Sequence, residues 1–546
     1  MQKGKVWPIV MSVMLAGALV LAGCTKGSEN NGSEQGQNGG TGSGTQVVNF
    51  NKDGLPIVDE KVTLHIVAPK AALAPDFGEM EIFKRLENDT NVHIEWENIP
   101  DTDYGEKKNL LLASGNLPDA FYNAGFSDYE LVTYGWDGTI IALEDLIDEY
   151  APNLKKLMEE RPDLKAAITA PDGHIYGLPT WEENELGTNP FFHVINTKWL
   201  EALDLKFPET LDEYTEVLMA FKNNDPNGNG IADEIPLSFM HMGWCMDIGG
   251  LFGAFGMPDN LDHRIVRDGK VIFTAVQPEY REALTYFHEK WFKQGLVDLE
   301  SFTQEAPQYL AKGKTPEVTL GSFIWWEIEE VVGVDRAQDY ALVPPLIGPN
   351  GHRTIGRGNG GGPGRGTFVI TKDNPHPEIT MRWIDQQYEP YMAAQIHWGP
   401  IGIIYEKDEN GKLVNLPLPE GVSMGEYRQK VAPNGAGVIT KEHFQTIVDM
   451  EPRAKQRKID LETYYEPYME PENYPTIFFE IEELERINRI EPELMKYVNS
   501  ERARFLLEGN IDKNWDRYVQ TVYDMGLQEL MDIYQTALDR YYASME

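Results

Sequence analysis

Apolar and polar residues alternate with a period of two at 62–66 and again at 92–96, which is the pattern of half-buried strands. Between these segments, four apolar residues recur at helical spacing: Phe77, Met80, Phe83 and Leu86. A helix is also predicted at 110–113, and the apolar segment that ends at Tyr122 is predicted to close another buried strand. The pattern therefore predicts a strand–helix–strand unit within an α/β layer of parallel strands.

Later segments continue to alternate short strands with amphipathic helices. Thr210-Leu-Asp-Glu213 has the spacing of a capping box and predicts a helix through Phe221. Thr367-Phe-Val-Ile370 is predicted to be a short apolar strand. From Ile477 to the end the periodicity is almost wholly helical. One apolar stripe there contains Trp515, Val519, Val522, Leu530, Ile533 and Ala537, with Leu527 and Leu538 at its edge.

The first 45 residues differ from this body. Two lysines precede an apolar stretch from Trp7 to Val20, and Leu21-Ala-Gly-Cys24 follows directly, which is typical of a secretory signal at 1–23. The stretch is shorter than the roughly 20 residues of a membrane-spanning helix. Residues 24–45 are rich in Gly, Ser and Asn and are predicted to form a flexible tether. Leu-Ala-Gly-Cys resembles the lipobox of bacterial lipoproteins, which implies lipidation of Cys24; a cleaved signal that merely ends in cysteine is the alternative.

Composition narrows the class of protein. The 48 Lys and Arg against 87 Asp and Glu give a formal charge of −39, and such a surface repels phosphate backbones, so no nucleic-acid partner is expected. The contents of 41% apolar and 25% charged residues are ordinary for a soluble globular protein. Of the two cysteines, Cys245 has no partner once Cys24 is lipidated. We therefore expect no disulfide and interpret Cys245 as a structural residue.

The most specific motif begins at Asp225. Oxygen-bearing side chains stand at positions one, three and five, a glycine at six and a backbone carbonyl at seven, as in the first half of an EF-hand loop. The usual bidentate glutamate at position twelve is Pro236 here, so Glu234 would have to close the coordination sphere. The pattern predicts a structural Ca²⁺ site with the ligands Asp225, Asn227, Asn229, the Ile231 carbonyl, Asp233 and Glu234. The alternative is an Asn-Gly turn without metal.

Tryptophans next to polar residues form a second group of candidates, at Trp181, Trp244, Trp325-Trp326 and Trp398. A flat ring can pack against the apolar face of a pyranose while neighbouring polar groups bind its hydroxyls. Each tryptophan could instead be a core residue. Because adjacent side chains of a strand point to opposite faces, at least one ring of the Trp325-Trp326 pair is expected to leave the core.

The sequence offers no positive support for catalysis. It contains no G-x-S-x-G, H-E-x-x-H or P-loop motif and no zinc-spaced His/Cys cluster. Carboxylates are so abundant that a glycosidase-like pair, such as Glu182 or Glu183 with Glu327, carries no weight.

The glycine-rich stretch at 352–366 contains a formal G-x-G-x-x-G from Gly356 to Gly361. It fails as a dinucleotide fingerprint because Gly and Pro follow where a helix must begin. Two interpretations stay open: a solvated loop, or a mobile lip whose Arg353, Arg357 or Arg365 meets an anionic ligand.

Together, the lipobox, the polar tether, the long α/β body and the loop from Asp225 to Pro236 resemble a large extracellular solute-binding protein of an ABC importer. More narrowly, the chain is similar to the oligosaccharide-binding lipoproteins of Gram-positive bacteria such as paenibacilli, and to the alginate-binding proteins that share the calcium loop. The similarity covers nearly all of the chain after the tether, including 114–122, 143–153, 176–179 and 207–214. In that family the corresponding loop residues bind calcium.

The resemblance implies an α/β, two-lobed, periplasmic-binding-protein-like clamp of type II, with discontinuous lobes joined by a hinge. Lobe 1 is predicted to comprise 46–180 and about 340–400. Lobe 2 is predicted to comprise 181–339 and about 401–546, with the calcium loop and the helical C-terminal end.

The implied function is capture of an oligosaccharide in the cleft between the lobes and delivery to ABC permease subunits, without covalent chemistry. The protein is expected to be a monomer, anchored by its lipid at the extracellular face of the cell membrane. The residues predicted to stack on the ligand are Tyr122, Trp181, Trp244, Trp325, Trp326 and Trp398. The alternatives are a secreted glycoside hydrolase or lyase and a surface lectin without transport.

Overall fold

The computed structural model describes residues 49–71, 73–188, 191–356, 358 and 361–543. The predicted signal, the predicted lipidation site Cys24 and the predicted tether lie outside the described residues. The strands are β1 Val62–Lys70, β2 Val92–Pro100, β3 Ala120–Tyr122, β4 Leu178–Glu182, β5 His193–Asn196, β6 Arg264–Arg267, β7 Lys270–Phe273, β8 Ser322–Ile324, β9 Tyr340–Leu342, β10 Gly364–Ile370, β11 Tyr405–Lys407, β12 Leu413–Asn415 and β13 Gly437–Ile439.

The helices fill the connections and the C-terminal end. They are α1 Glu81–Thr90, α2 Asp101–Ser114, α3 Asp128–Trp136, α4 Glu144–Tyr150, α5 Pro152–Glu160, α6 Pro162–Ile168, α7 Thr197–Ala202, α8 Leu211–Asn223, α9 Pro278–Phe287, α10 Ala306–Gly313, α11 Ile328–Val332, α12 Pro377–Asp385, α13 Pro390–Trp398, α14 Met424–Val431, α15 Lys441–Thr446, α16 Pro452–Asp460, α17 Ile481–Glu508, α18 Ile511–Asp524 and α19 Leu527–Ala543. Among the described helices, none combines the length and the apolar character needed to cross a membrane.

The predicted strand–helix–strand opening is confirmed. Strands β1 and β2 pair in parallel, with Leu64 opposite Ile94. Helix α1 crosses between them and buries Phe83 and Leu86 against the sheet. The helix begins at Glu81, later than predicted, because a short 3₁₀ turn occupies Phe77–Glu79. The alternating pattern was reliable here because one face of each strand is buried.

Six strands form the larger sheet, in the order β13-β4-β10-β3-β1-β2. Strand β3 joins β1 in parallel as predicted, whereas β10 runs antiparallel to both β3 and β4. Apolar clusters cover both faces of this sheet, and burial on both faces is typical of α/β folds. The α/β fold class is therefore confirmed.

Three antiparallel strands form the smaller sheet, in the order β8-β5-β9. Helix α8, which packs in the core beside this sheet, begins at Leu211 with the predicted capping box. The Thr210 hydroxyl accepts the backbone N–H of Glu213 at 3.1 Å, and the Glu213 carboxylate accepts that of Thr210 at 3.0 Å. These bonds satisfy two otherwise unpaired N–H groups at the helix start.

The C-terminal end is helical, as predicted. Helices α17 and α18 pack on α9, and α19 packs on β7. The predicted stripe lies in the core, with Val519 only partly buried. Leu527 and Leu538, predicted at the edge of the stripe, are also buried, because partners cover a wider face of these helices than the stripe alone.

The predicted lobe boundaries do not separate the two sheets. Strand β9 begins at Tyr340, within the segment assigned to lobe 1, yet it pairs with β5 in the three-stranded sheet. Strand β13 lies beyond residue 401, in the segment assigned to lobe 2, yet it pairs with β4 in the six-stranded sheet. The crossings between the sheets lie at other positions than the resemblance implies, because local sequence patterns carry no information on strand pairing.

Candidate functional site

A cavity of 320 Å³, here called the tryptophan cavity, is lined by residues that lie at or near the ends of strands of both sheets and by residues of other elements. Its aromatic and charged lining consists of Trp244, Trp326, Trp398, Glu182, Arg428 and Arg457. Asn184, Leu186, Gly187 and Phe192 complete the lining. Flat apolar rings beside a few polar groups are suited to a polar ligand that also has apolar faces, such as a sugar.

Trp398 is fixed from the side of the six-stranded sheet. It ends α13, is 2% exposed, and its indole N–H donates to Glu182 Oε2 at 2.6 Å. The same carboxylate lies 3.3 Å from the His397 ring. Burial alone would raise the pKa of Glu182, but contact with His397 and the charge of Arg428 outweigh it and lower this pKa overall. Glu182 is thus an ionised acceptor that orients Trp398 in the cavity wall.

Trp326 enters the cavity just after β8. Its neighbour Trp325 points the other way, is 5% exposed and donates to Glu330 Oε2 at 2.9 Å. As predicted for adjacent residues, one ring lies in the core and the other leaves it. The Arg457 guanidinium lies 4.6 Å from the Trp326 ring centroid. Arg457 also donates to Glu327 and Glu451, so its charge is neutralised within the protein.

Trp244 enters from a tight loop at 240–247 and is 58% exposed. Asp247 accepts the backbone N–H groups of Met242 and Gly249, each at 2.7 Å. The Arg502 guanidinium of α17 lies 2.5 Å from the same carboxylate, and both side chains are 1% exposed. The loop therefore carries the exposed Trp244 ring, and the buried Asp247–Arg502 ion pair fixes the loop backbone on either side of it.

The other predicted stacking residues lie elsewhere. Tyr122 is fully buried in the core, and its hydroxyl donates to Gln387. Trp325 is a core residue, as described above. Trp181 points to the opposite side of β4 from Glu182, into a separate cavity of 780 Å³, and its indole N–H donates to Gly361 at 2.9 Å. Because strand side chains alternate between faces, Trp181 cannot share the wall formed by Glu182. Tyr122, Trp181 and Trp325 are therefore not among the contacts proposed below.

The two arginines of the cavity have no local signal in the sequence. Arg428 lies in a mostly polar helix, and Arg457 lies in a basic segment that would ordinarily be solvated. Their place in the wall comes from the packing of α14 and α16. Because carboxylates are abundant throughout the sequence, nothing there distinguishes Glu182 as the residue that orients Trp398.

The arginines of the glycine-rich stretch are engaged within the protein where they are described. Arg353 donates to the Pro345 carbonyl at 2.6 Å and lies over the Tyr468 ring. Arg365 is 3.2 Å from the Asp128 carboxylate and lies over the Phe478 ring. Arg357 lies outside the described residues. These contacts give the mobile-lip interpretation no support.

The loop from Asp225 to Glu234 folds around its own side chains. Asp225 accepts the backbone N–H groups of Asn229 and Gly230, and the amide N–H₂ groups of Asn227 and Asn229 donate to Asp233. Glu234 Oε1 is buried without a hydrogen-bond partner. Burial raises the pKa of Glu234, and the charges of Asp233 and Asp225 add to the rise.

This donor set fits a hard cation. Three carboxylates lie within ten residues of the sequence, the side-chain amides of Asn227 and Asn229 lie against Asp233, and one buried oxygen of Glu234 has no hydrogen-bond partner. The described residues contain no group of three or more His, Cys, Asp or Glu in metal-binding range. Half of the predicted ligands, however, are amide or backbone oxygens, which calcium accepts.

Glu330 is a buried carboxyl behind the cavity wall. It is 3% exposed, and burial raises its pKa to about 7, although the hydrogen bond from Trp325 acts in the opposite direction. Below pH 4.5, the ordinary pKa of a glutamate, this carboxyl is neutral in both the folded and the unfolded state. As the pH rises from there toward 7, the unfolded chain releases the proton first, so the folded state loses stability.

Glu330→Gln is therefore expected to flatten the pH dependence of stability between pH 4.5 and 7. Urea unfolding of both proteins across this range measures the effect, and the variant should gain stability relative to the wild type as the pH rises. Glu317→Gln, at an exposed site, is the control and should retain the wild-type profile. Parallel curves for Glu330→Gln and the wild type would contradict this prediction.

Comparisons with known proteins identify the family of this chain. A family model described as bacterial extracellular solute-binding protein matches residues 81–395. The fructooligosaccharide ABC transporter substrate-binding protein FusA of Streptococcus pneumoniae is 40% identical over 501 residues, which cover 89% of this chain and 92% of FusA. Lipoprotein LipO of Bacillus subtilis is 29% identical over 311 residues, 54% of this chain and 58% of LipO.

Solved structures of solute-binding proteins also match this chain. FusA in complex with kestose matches with a TM-score of 0.84 at 40% identity, over 88% of this chain and 100% of the FusA chain in that structure. A FusA EF-hand mutant in complex with fructo-nystose matches equally well, with a TM-score of 0.84. Alginate-binding protein AlgQ2 without calcium ion matches with a TM-score of 0.71 at 22% identity, over 88% and 98% of the two chains, and shows the fold alone.

These matches confirm the predicted solute-binding clamp fold and the predicted binding function without catalysis. They do not favour the hydrolase, lyase or lectin alternatives. The family model spans more than half of the chain, and the similarity to FusA extends over nearly all of it. The chain therefore belongs to the bacterial extracellular solute-binding proteins.

Proposed function

We propose that this protein captures a fructooligosaccharide in the tryptophan cavity and delivers it to the permease of an ABC importer. The observation that carries the proposal is the convergence of Trp244, Trp326 and Trp398 on one cavity between the two sheets. The name of FusA, 40% identical over most of both chains, supports this ligand class. Closure of two lobes about a hinge would enclose the sugar and create the form that the permease recognises.

Trp244→Ala is expected to weaken kestose binding about 10- to 30-fold, because a ring that stacks on the ligand contributes about 1.4–2 kcal/mol. The side chain is 58% exposed in the protein without ligand, so the fold should tolerate its removal. Isothermal titration of kestose into wild type and variant, both in calcium, measures the change.

Trp136→Ala is the matched control, since Trp136 is 77% exposed at the end of α3 and does not line the cavity. It should bind kestose as the wild type does. Equal affinity of Trp244→Ala and wild type would show that the sugar binds elsewhere. Failure of the wild type to bind kestose would show that the proposed ligand class is wrong.

We also propose that the loop at 225–234 holds a structural Ca²⁺ ion. The ligands would be the side chains of Asp225, Asn227, Asn229, Asp233 and Glu234 with the Ile231 carbonyl. The unpaired Glu234 oxygen supports this proposal, as do the solved structures of a FusA EF-hand mutant and of AlgQ2 without calcium ion. When bound, the ion would neutralise the three carboxylates of the loop and fix the loop between α8 and the three-stranded sheet.

We further propose that the protein acts as a monomer tethered to the outer face of the membrane through a lipid on Cys24. The Leu21-Ala-Gly-Cys24 sequence and the polar segment after it support this anchor. So does the similarity to lipoprotein LipO of Bacillus subtilis. A tether of about 20 flexible residues gives a mean reach of roughly 25 Å, enough for the body to turn toward a permease.

A further inference from the structure

The two arginines that line the tryptophan cavity differ in how the protein holds them. Arg457 is buried and donates to Glu327 and Glu451, as described above. Arg428 is only partly buried, and its guanidinium lies 5.0 Å from the Trp398 ring centroid. Within the part of the chain that the structure describes, no group pairs with Arg428 or accepts a hydrogen bond from it. The cavity wall thus carries a cation whose donors have no partner among the residues that the structure describes.

The helix that carries Arg428 is fixed on both sides of the cavity. Met424, in its first turn, is buried in the same apolar cluster as Trp398. On the other side, Glu426 pairs with Lys314 at 2.5 Å. Gly425 packs so closely on Glu330 that an added Cβ would lie 1.9 Å from its carboxylate oxygen. The backbone under Arg428 is therefore held in place, and the unpaired guanidinium is not the end of a loose surface segment.

We infer that Arg428 contacts the ligand and sets the preference of the cavity for sugars that present oxygen acceptors above Trp398; this inference rests on the proposed function. A guanidinium offers five N–H donors in a rigid fork. The Trp398 face holds the cation in place through a cation–π interaction. A sugar that enters the cavity would replace the water on this fork with hydroxyl or ring oxygens. A polar group placed this way rejects ligands that leave it unpaired.

The other charged groups that line the cavity, Glu182 and Arg457, cannot perform this role. Glu182 already accepts the indole N–H of Trp398 and the amide of Asn184. Arg457 is held by two carboxylates. Arg428 is the charged group in this wall with donors left for a ligand.

Arg428→Met should lower the affinity for kestose about 10- to 100-fold, because hydrogen bonds from a charged donor are lost while the apolar stem stays over Trp398. Arg428→Lys should recover only part of the affinity, since an ammonium cannot reproduce the fork. A purely structural role over the ring would be satisfied by either cation. Isothermal titration of kestose into the full chain in calcium, with thermal unfolding in parallel, separates binding from folding.

Lys430→Met is the matched control, because it removes one positive charge from the exposed side of the same helix. It should bind kestose with wild-type affinity. Wild-type affinity in Arg428→Met, or in Arg428→Lys should the methionine variant fail to fold, would overturn the inference and leave the proposed function standing. If the wild type itself does not bind kestose, the proposed function fails, and with it the inference.

Discussion

Arg502→Met is expected to lower the free energy of unfolding by about 3–5 kcal/mol, the usual cost of leaving one member of a buried ion pair uncompensated. Arg502 and Asp247 are each 1% exposed and lie 2.5 Å apart. Burial alone would raise the pKa of Asp247, but the charge of Arg502 outweighs it and holds this pKa low. The variant would bury a carboxylate without a counter-charge. Urea unfolding at neutral pH measures the loss.

Arg504→Met is the control on the same helix. Arg504 pairs with Glu501 three residues earlier, at side-chain exposures of 28% and 17%, and such a pair contributes less than about 1 kcal/mol. The double variant Asp247→Asn with Arg502→Met should recover part of the stability, since it no longer buries a lone charge. An Arg502→Met protein as stable as Arg504→Met would show that the pair does not hold this core.

The same variant connects stability to function. Asp247 holds the backbone of Met242 and Gly249, and Trp244 is carried between them. Without Arg502 the backbone around Trp244 should be less firmly held, and the ring should then sample other positions. Kestose affinity should therefore fall in variants that still fold. Arg502 would then be a positioning residue, which affects ligand binding through Asp247 and Trp244 without contacting the sugar.

Calcium is expected to stabilise the wild type by about 2.7 kcal/mol when its concentration is 100 times the dissociation constant, because the ion binds only the folded loop. Chelation with EDTA should abolish this gain. Asp225→Asn should reduce it, since the substitution removes one of the three carboxylates of the loop. Thermal unfolding in calcium and in EDTA, at constant ionic strength, measures both effects.

Asp408→Asn provides the comparison for a loop acid outside the proposed site. Asp408 accepts the backbone N–H groups of Asn410 and Lys412 in the turn between β11 and β12, and an asparagine oxygen can accept the same bonds. This variant should keep the full response to calcium. Identical unfolding of the wild type in calcium and in EDTA would show that the loop is a metal-free turn.

Features that depend on neighbouring residues were predicted well from the sequence. The alternation at 62–66, the helical spacing from Phe77 to Leu86 and the capping box at Thr210 all have counterparts in the structure. Each of these signals arises within a few residues, where the direction of side chains follows from backbone geometry alone. The resemblance implied discontinuous lobes, but local patterns could not locate the crossings, because β9 pairs with β5 and β13 pairs with β4, strands that are far apart in sequence.

The candidate site shows the same division. The residue types were predictable, since tryptophans beside polar groups indicate sugar binding, and Trp244, Trp326 and Trp398 do converge. The same pattern also selected Trp325, which is a core residue, and Trp181, which lines another cavity, because a large ring next to polar residues is equally compatible with other surroundings.

The order of apolar, polar and oxygen-bearing residues determined the strands, helices and loop type of this protein, because those features are local. Tertiary packing alone decided which tryptophans face a common cavity and which of its arginines keeps its donors unpaired. Arg428 and Arg457 have the same chemistry, and only Arg457 meets Glu327 and Glu451. The physical reason is that a counter-charge is supplied by residues distant in the chain, and their distance is set by the fold.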